Sequence, residues 1–228
     1  MKNEGTKNVL LGVLIVGLVS MTVAFAALST QLNISGTAKV TAQTWKVVLA
    51  DWQLDTENSS KNIVYSQEAA TGNTDVVVTD NNSCTECTDI TGLNFDFKKP
   101  GTKVQYNFKI QNKGTIDAKN VALTFGEKTC TDKSGNQLYS YDRTGIKVDY
   151  CPITFEVKCG GSPLVSGTPM STVLTGDNAS TNSIACTYMV QYNDDYTSDS
   201  QLYYHGGNVT GQEINVSGLD VHWTWQQN

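Results

Sequence analysis

Between Lys103 and Gln111, Val104, Tyr106, Phe108 and Ile110 alternate with Lys103, Gln105, Asn107, Lys109 and Gln111. This period of two predicts a strand with one buried and one wet face. Pro100-Gly101 supplies a turn into it, and Asn112 to Gly114 supplies residues that tolerate turn conformations on the way out. Val121, Leu123 and Phe125 then alternate against Ala122 and Thr124, which predicts that the two strands are neighbours in an antiparallel sheet.

The same signal recurs along the chain. Thr37 to Trp52 reads as strand, with Trp45, Val47 and Leu49 in one phase, Val40 and Ala42 in the other, and a bulge near Gln43-Thr44. Residues 53 to 92 are polar and turn-rich, with short edge strands expected at Ile63 to Tyr65 and Val76 to Thr79. Ile146, Val148 and Tyr150 alternate, and Ile153, Phe155, Val157 and Cys159 resume after a bend at Pro152. Ile184, Cys186, Tyr188, Val190 and Tyr192 form a further strand, and Leu219, Val221, Trp223 and Trp225 the last. The two tryptophans share a phase with Leu219 and Val221, so core packing is preferred over a carbohydrate-stacking platform. No amphipathic helix is predicted after residue 28, and the fold class is all-β, one antiparallel β-sandwich.

The N-terminus has a different character. Lys2 and Lys7 precede an apolar run from Val9 to Leu28, and Ala24-Phe25-Ala26 offers a small-x-small site before Ala27. Residues 1–26 read as an export signal cut after Ala26, with an uncleaved helical membrane anchor over residues 9–28 as the alternative. Directly behind it, Leu28, Thr30, Leu32 and Ile34 alternate with Ser29, Gln31, Asn33 and Ser35 up to Gly36. This short strand, 27–36, either pairs within its own domain or is a donor strand that adds to the sheet of a neighbouring subunit. Residues 37–228 form the sandwich domain.

Composition narrows the partners. The 228 residues carry a net charge of −6 with only 17% charged positions, and no basic patch with interleaved aromatics is present, so nucleic acid is not expected. Export and six cysteines together imply an oxidising compartment, outside the cell or at its surface, and up to three disulfides. Cys159 shares the inward phase of Val157 and Cys186 that of Tyr188, which pairs them across adjacent strands. Cys130 and Cys151 flank the loop 131–150 and can close it, leaving Cys84 with Cys87 as a small clip. A zinc reading of Cys84-x-x-Cys87 lacks a second ligand pair, since the histidines are His205 and His222, and a redox reading lacks the helix start of an α/β fold, so a structural disulfide is preferred.

No HExxH, Gly-x-Ser-x-Gly, P-loop or dinucleotide fingerprint occurs, so no enzyme activity and no cofactor are expected. Asp194, Asp195 and Asp199 could offer oxygens to calcium, but their spacing does not match an EF-hand loop, and a solvated acidic loop is the preferred reading.

The junction Ala24-Phe25-Ala26-Ala27-Leu28-Ser29-Thr30-Gln31-Leu32-Asn33-Ile34-Ser35-Gly36-Thr37-Ala38, the Trp45 strand, and Lys99-Pro100-Gly101 through Gly114-Thr115-Ile116-Asp117-Ala118-Lys119 together resemble the TasA/camelysin family of exported prokaryotic matrix proteins. The resemblance covers roughly the first 50 residues and residues 93 to 125. It implies a jelly-roll-like sandwich, removal of the signal by a dedicated signal peptidase, and donation of Leu28, Thr30, Leu32 and Ile34 to the next copy of the chain. Such a head-to-tail contact does not close, so it builds a homopolymeric filament. Six cysteines depart from the family pattern. Members described as metalloproteases exist, yet no zinc motif stands here to carry that activity over.

Three functions follow from this reading. The first is an exported structural subunit of a surface or biofilm-matrix fibre. The second is a monomeric cell-surface adhesion module held by an uncleaved helix, with Trp223, Trp225 or Tyr203-Tyr204 touching glycans. The third, a minor alternative, is a metalloprotease using His205, His222 and loop carboxylates.

Overall fold

The structure is a computed structural model that describes residues 44, 46–65, 74–80, 87–141, 144–176, 181–193 and 213–228. The chain divides into two compact units, Met1–Ala42 and Gln43–Asn228, and every described residue belongs to the second. The boundaries expected at residues 26 and 36 lie outside the described residues, as does the expected N-terminal helix.

The described residues form fifteen strands: β1 (Val47–Leu54), β2 (Ile63–Tyr65), β3 (Val76–Asp80), β4 (Leu93–Phe97), β5 (Lys103–Asn112), β6 (Ala118–Phe125), β7 (Thr129–Asp132), β8 (Tyr139–Tyr141), β9 (Lys147–Asp149), β10 (Ile153–Cys159), β11 (Ser162–Pro163), β12 (Val173–Leu174), β13 (Ser183–Tyr192), β14 (Ile214–Ser217) and β15 (Val221–Gln227). No helix occurs among the described residues.

One sheet has the order β1-β5-β13-β10-β11 and is antiparallel throughout. A second runs β2-β3-β4-β14-β7, parallel only between β2 and β3, and a third runs β12-β6-β15. Rings join the first sheet to the other two. Phe95 and Phe97 on β4 lie 6.4 and 6.2 Å from Tyr188 and Tyr192 on β13, Phe108 on β5 lies 6.2 Å from Trp223 on β15, and Phe125 on β6 lies 5.4 Å from Phe155 on β10. The fold is all-β, with antiparallel sheets packed over a shared aromatic core, consistent with a β-sandwich.

β5 buries every second residue, Val104, Tyr106, Phe108 and Ile110, as its alternation predicts. Its neighbours differ from the expectation. β5 pairs with β1 and β13, whereas β6 pairs with β12 and β15 in another sheet, so residues 113–117 form an arch between layers and not a hairpin. The inner faces of both layers look at the same core, so alternation reports which face is buried and is blind to which sheet holds it.

Phase changes fall in β6 and in β1. In β6 the register slips between Thr224 and Trp225, whose partners are Ala122 and Asn120, so Val121 is the extra residue of a bulge. Ala118, Asn120 and Leu123 are therefore the buried positions, in place of an unbroken Val121, Leu123, Phe125 face. In β1 a bulge lies between Ala50 and Gln53, with Asp51 at φ 56°; Gln43, beside the expected bulge, is outside the described residues. β2 is an edge strand as expected, but β3 is internal, between β2 and β4. Ile146 does not join a buried face: it is 61% exposed ahead of β9, which pairs with β8 alone.

Candidate functional site

The arch between β5 and β6 gathers several polar partners of the domain at one end. Asn112 closes β5 and is 1% exposed. Its side-chain Nδ2 donates to the carbonyls of Ile116 (2.7 Å) and Leu174 (3.1 Å), and its Oδ1 accepts from Gly114 N (2.9 Å). One buried amide thus satisfies three backbone groups that a turn between two sheets cannot satisfy by a ladder. The Asn112 backbone N–H donates to Asn182 O beside β13 at 2.8 Å.

The next residues hold the chain that leads into β1. Lys113 N donates to Lys46 O (2.7 Å) and Thr115 N to Thr44 O (2.6 Å), while Thr44 N donates to Thr115 Oγ1 (3.0 Å). Ile116 N adds a longer bond to Thr44 O at 3.2 Å. Asp117 completes the arch: its Oδ1 accepts from Gly176 N (2.9 Å) and its backbone carbonyl from Asn228 N (3.0 Å). Gly176 is required by close approach, because a Cβ there would lie 2.3 Å from the Thr115 carbonyl carbon. The segment Asn112-Lys113-Gly114-Thr115-Ile116-Asp117 is therefore a clamp on Thr44, the first of the described residues.

The donor-strand candidates Leu28, Thr30, Leu32 and Ile34 and the cleavage-site residues Ala24, Ala26 and Ala27 all lie outside the described residues, as do Trp45, the acidic group Asp194, Asp195 and Asp199, Tyr203-Tyr204 and His205. His222 is exposed, its Nδ1 3.7 Å from Asp89 Oδ2. Among the described residues no group of three or more histidine, cysteine, aspartate or glutamate side chains could hold a metal ion.

Trp223 and Trp225 are 5% and 7% exposed, so they are core residues and present no stacking surface. Trp52 also faces rings, stacked on Tyr106 at 4.7 Å. Burial pushes the phenol of Tyr192 up to about 12, and those of Tyr106 and Tyr188 upward as well. The Tyr188 hydroxyl donates to Leu219 O at 3.0 Å, and the Tyr106 and Tyr65 hydroxyls are 3.3 Å apart.

Cys130–Cys151 and Cys159–Cys186 are disulfides; Cys87 is disulfide-bonded, and Cys84 lies outside the described residues. Cys159 and Cys186 are direct partners across β10 and β13, whereas Cys130 on β7 and Cys151 before β10 join two different sheets. These bonds fit an oxidising environment such as the cell exterior.

What sequence reasoning missed is the clamp itself. Asn112 to Gly114 reads as a turn, but the reach of the Asn112 amide to Leu174 and the approach of Gly176 to Thr115 depend on segments far apart in the chain. Neither a protein-family model nor a curated protein matches this chain.

Proposed function

We propose that this chain is an exported structural subunit that polymerises by donating its N-terminal strand, residues 27–36, to the next copy. The reading takes the domain as a jelly-roll-like member of the TasA/camelysin group, with residues 1–26 an export segment removed after Ala26. The observation that carries it is the clamp at Thr44. A donated strand transmits force between subunits, and its root has to be tied to the body of its own domain. Here Thr44 is bonded in both directions to Thr115, in an arch whose ends continue into β5 and β6, one in each layer. Pull on the N-terminal segment would thus be shared by both sheets. The alternation of Leu28, Thr30, Leu32 and Ile34 supplies the side chains that a sheet edge with a pocket beneath it accepts.

The test is electron microscopy of two purified proteins at equal concentration, one beginning at Ala27 and one at Thr37. Filaments from the longer protein alone support strand donation. Monomers from both would overturn it and leave a membrane-held surface module as the better reading.

A further inference from the structure

The bulge in β1 hollows the outer face of the first sheet. The partners Ala50↔Lys109 and Gln53↔Asn107 leave Asp51 and Trp52 together opposite Phe108. Trp52 turns inward and stacks on Tyr106. Asp51 turns outward, with its Oδ2 2.8 Å from Lys109 Nζ, and both side chains are exposed. Its φ of 56° is the one positive value at a non-glycine among the described residues. Bulges recur where a strand has to re-aim a side chain, and unusual backbone conformers collect at ligand sites. On the far side of Lys109 stands its β13 partner, the small and exposed Ala185. The result is an open cavity of about 340 Å³, lined by Asp51, Gln53, Asn107, Lys109 and Ala185 together with Trp52 and Phe108. That is the size of a small-ligand site.

We propose that this hollow binds a neutral pyranose unit of a glycan. The two charged side chains of its lining neutralise one another. An anion attracted by Lys109 is opposed by Asp51, and a cation attracted by Asp51 is opposed by Lys109. Two adjacent ring hydroxyls suit both, since one donates to the carboxylate while the other accepts from the ammonium, and such charge-assisted hydrogen bonds are the strong ones. The neighbouring amides extend the array. Asn107 Nδ2 donates to Asp55 Oδ2 at 3.0 Å, beside Gln105 Nε2 on the same oxygen at 2.9 Å. This fixes the Asn107 amide and leaves its Oδ1 as an acceptor for a further hydroxyl, while Gln53 offers a donor and an acceptor. The methyl group of Ala185 gives the C–H face of a sugar ring an apolar surface to lie on. Sugar binding here is independent of polymerisation and gives an adhesive face to a subunit or a monomer alike.

The experiment titrates the full chain with maltotriose, cellotriose, mannotriose and chitotriose, read by saturation-transfer NMR and calorimetry. At least one of them is expected to bind with a Kd of about 1 mM or tighter. Gln53→Ala and Asp51→Asn are each expected to weaken that binding about fivefold to tenfold. The melting temperature should stay unchanged in both, because Gln53 is exposed, asparagine adopts the left-handed backbone as readily as aspartate, and an exposed ion pair adds little stability. No binding of any of the four sugars would overturn the proposal, and unchanged affinity in either folded variant would refute its placement at the bulge. Tighter binding of glucuronic acid or glucosamine than of glucose would refute the neutral class of ligand.

Discussion

Replacing Asn112 by alanine tests whether the arch, and with it the clamp on Thr44, rests on one buried amide. The substitution deletes three hydrogen bonds, to Ile116 O, Leu174 O and from Gly114 N, at a residue 1% exposed. Each is worth about 1 kcal/mol net, and a partner left buried without water costs more, so the expected loss is about 3 to 4 kcal/mol. Against a domain stability of roughly 5 to 15 kcal/mol, that is a large fraction. Urea unfolding followed by tryptophan fluorescence measures it, with the midpoint falling and the slope unchanged. Asn112→Asp sharpens the test: it keeps an acceptor for Gly114 N but turns a carboxylate toward two carbonyl oxygens, so at neutral pH it should be no more stable than the alanine variant. A loss below about 1 kcal/mol for Asn112→Ala would refute the reasoning, because it would mean that the arch carbonyls are satisfied without the amide.

Two further outcomes are expected. Tyr106, Tyr188 and Tyr192 have folded-state pKa values raised by burial, Tyr192 to about 12, so their contribution is complete below the unfolded value of about 10 and is lost as pH rises through the folded values. Stability should therefore fall above about pH 10, and ultraviolet difference spectra should show these tyrosines ionising together with unfolding; early, independent ionisation of all ten tyrosines would contradict their burial. Cys130→Ser with Cys151→Ser opens a cross-link of sequence separation 21 between two sheets and should lower stability by about 3 kcal/mol in chemical denaturation, whereas a shift below about 1 kcal/mol would mean that the sheets are held without it.

Much of the fold is legible in the sequence where a local period meets a burial requirement. β5, β10, β13 and β15 follow directly from alternation, and their buried faces are the apolar phases. Two of the cysteine pairings are legible for the same reason: the shared phase of Cys159 and Cys186 places both sulfurs on one face, and Cys130 and Cys151 bracket a single loop. The bulge in β6 is not legible in this way. It depends on Asn120 turning inward to donate to Ala122 O (2.9 Å) and Thr224 O (3.0 Å) and to accept from Met170 N (2.8 Å), and two of those three partners are distant in the chain.

Alternation along the chain is enough to predict the strands of the domain, the apolar face of each and the cysteines that could meet, because it is a property of one strand alone. Assembly of the layers is what sets β5 and β6 in different sheets, ties the Asn112 amide to Leu174, and brings Gly176 against Thr115 and Asp117. Those features depend on which strand edges and which distant carbonyls come together. Backbone hydrogen bonds carry no side-chain label, so strand pairing is set by the total burial of the assembled layers and by the few buried polar groups that must find partners there.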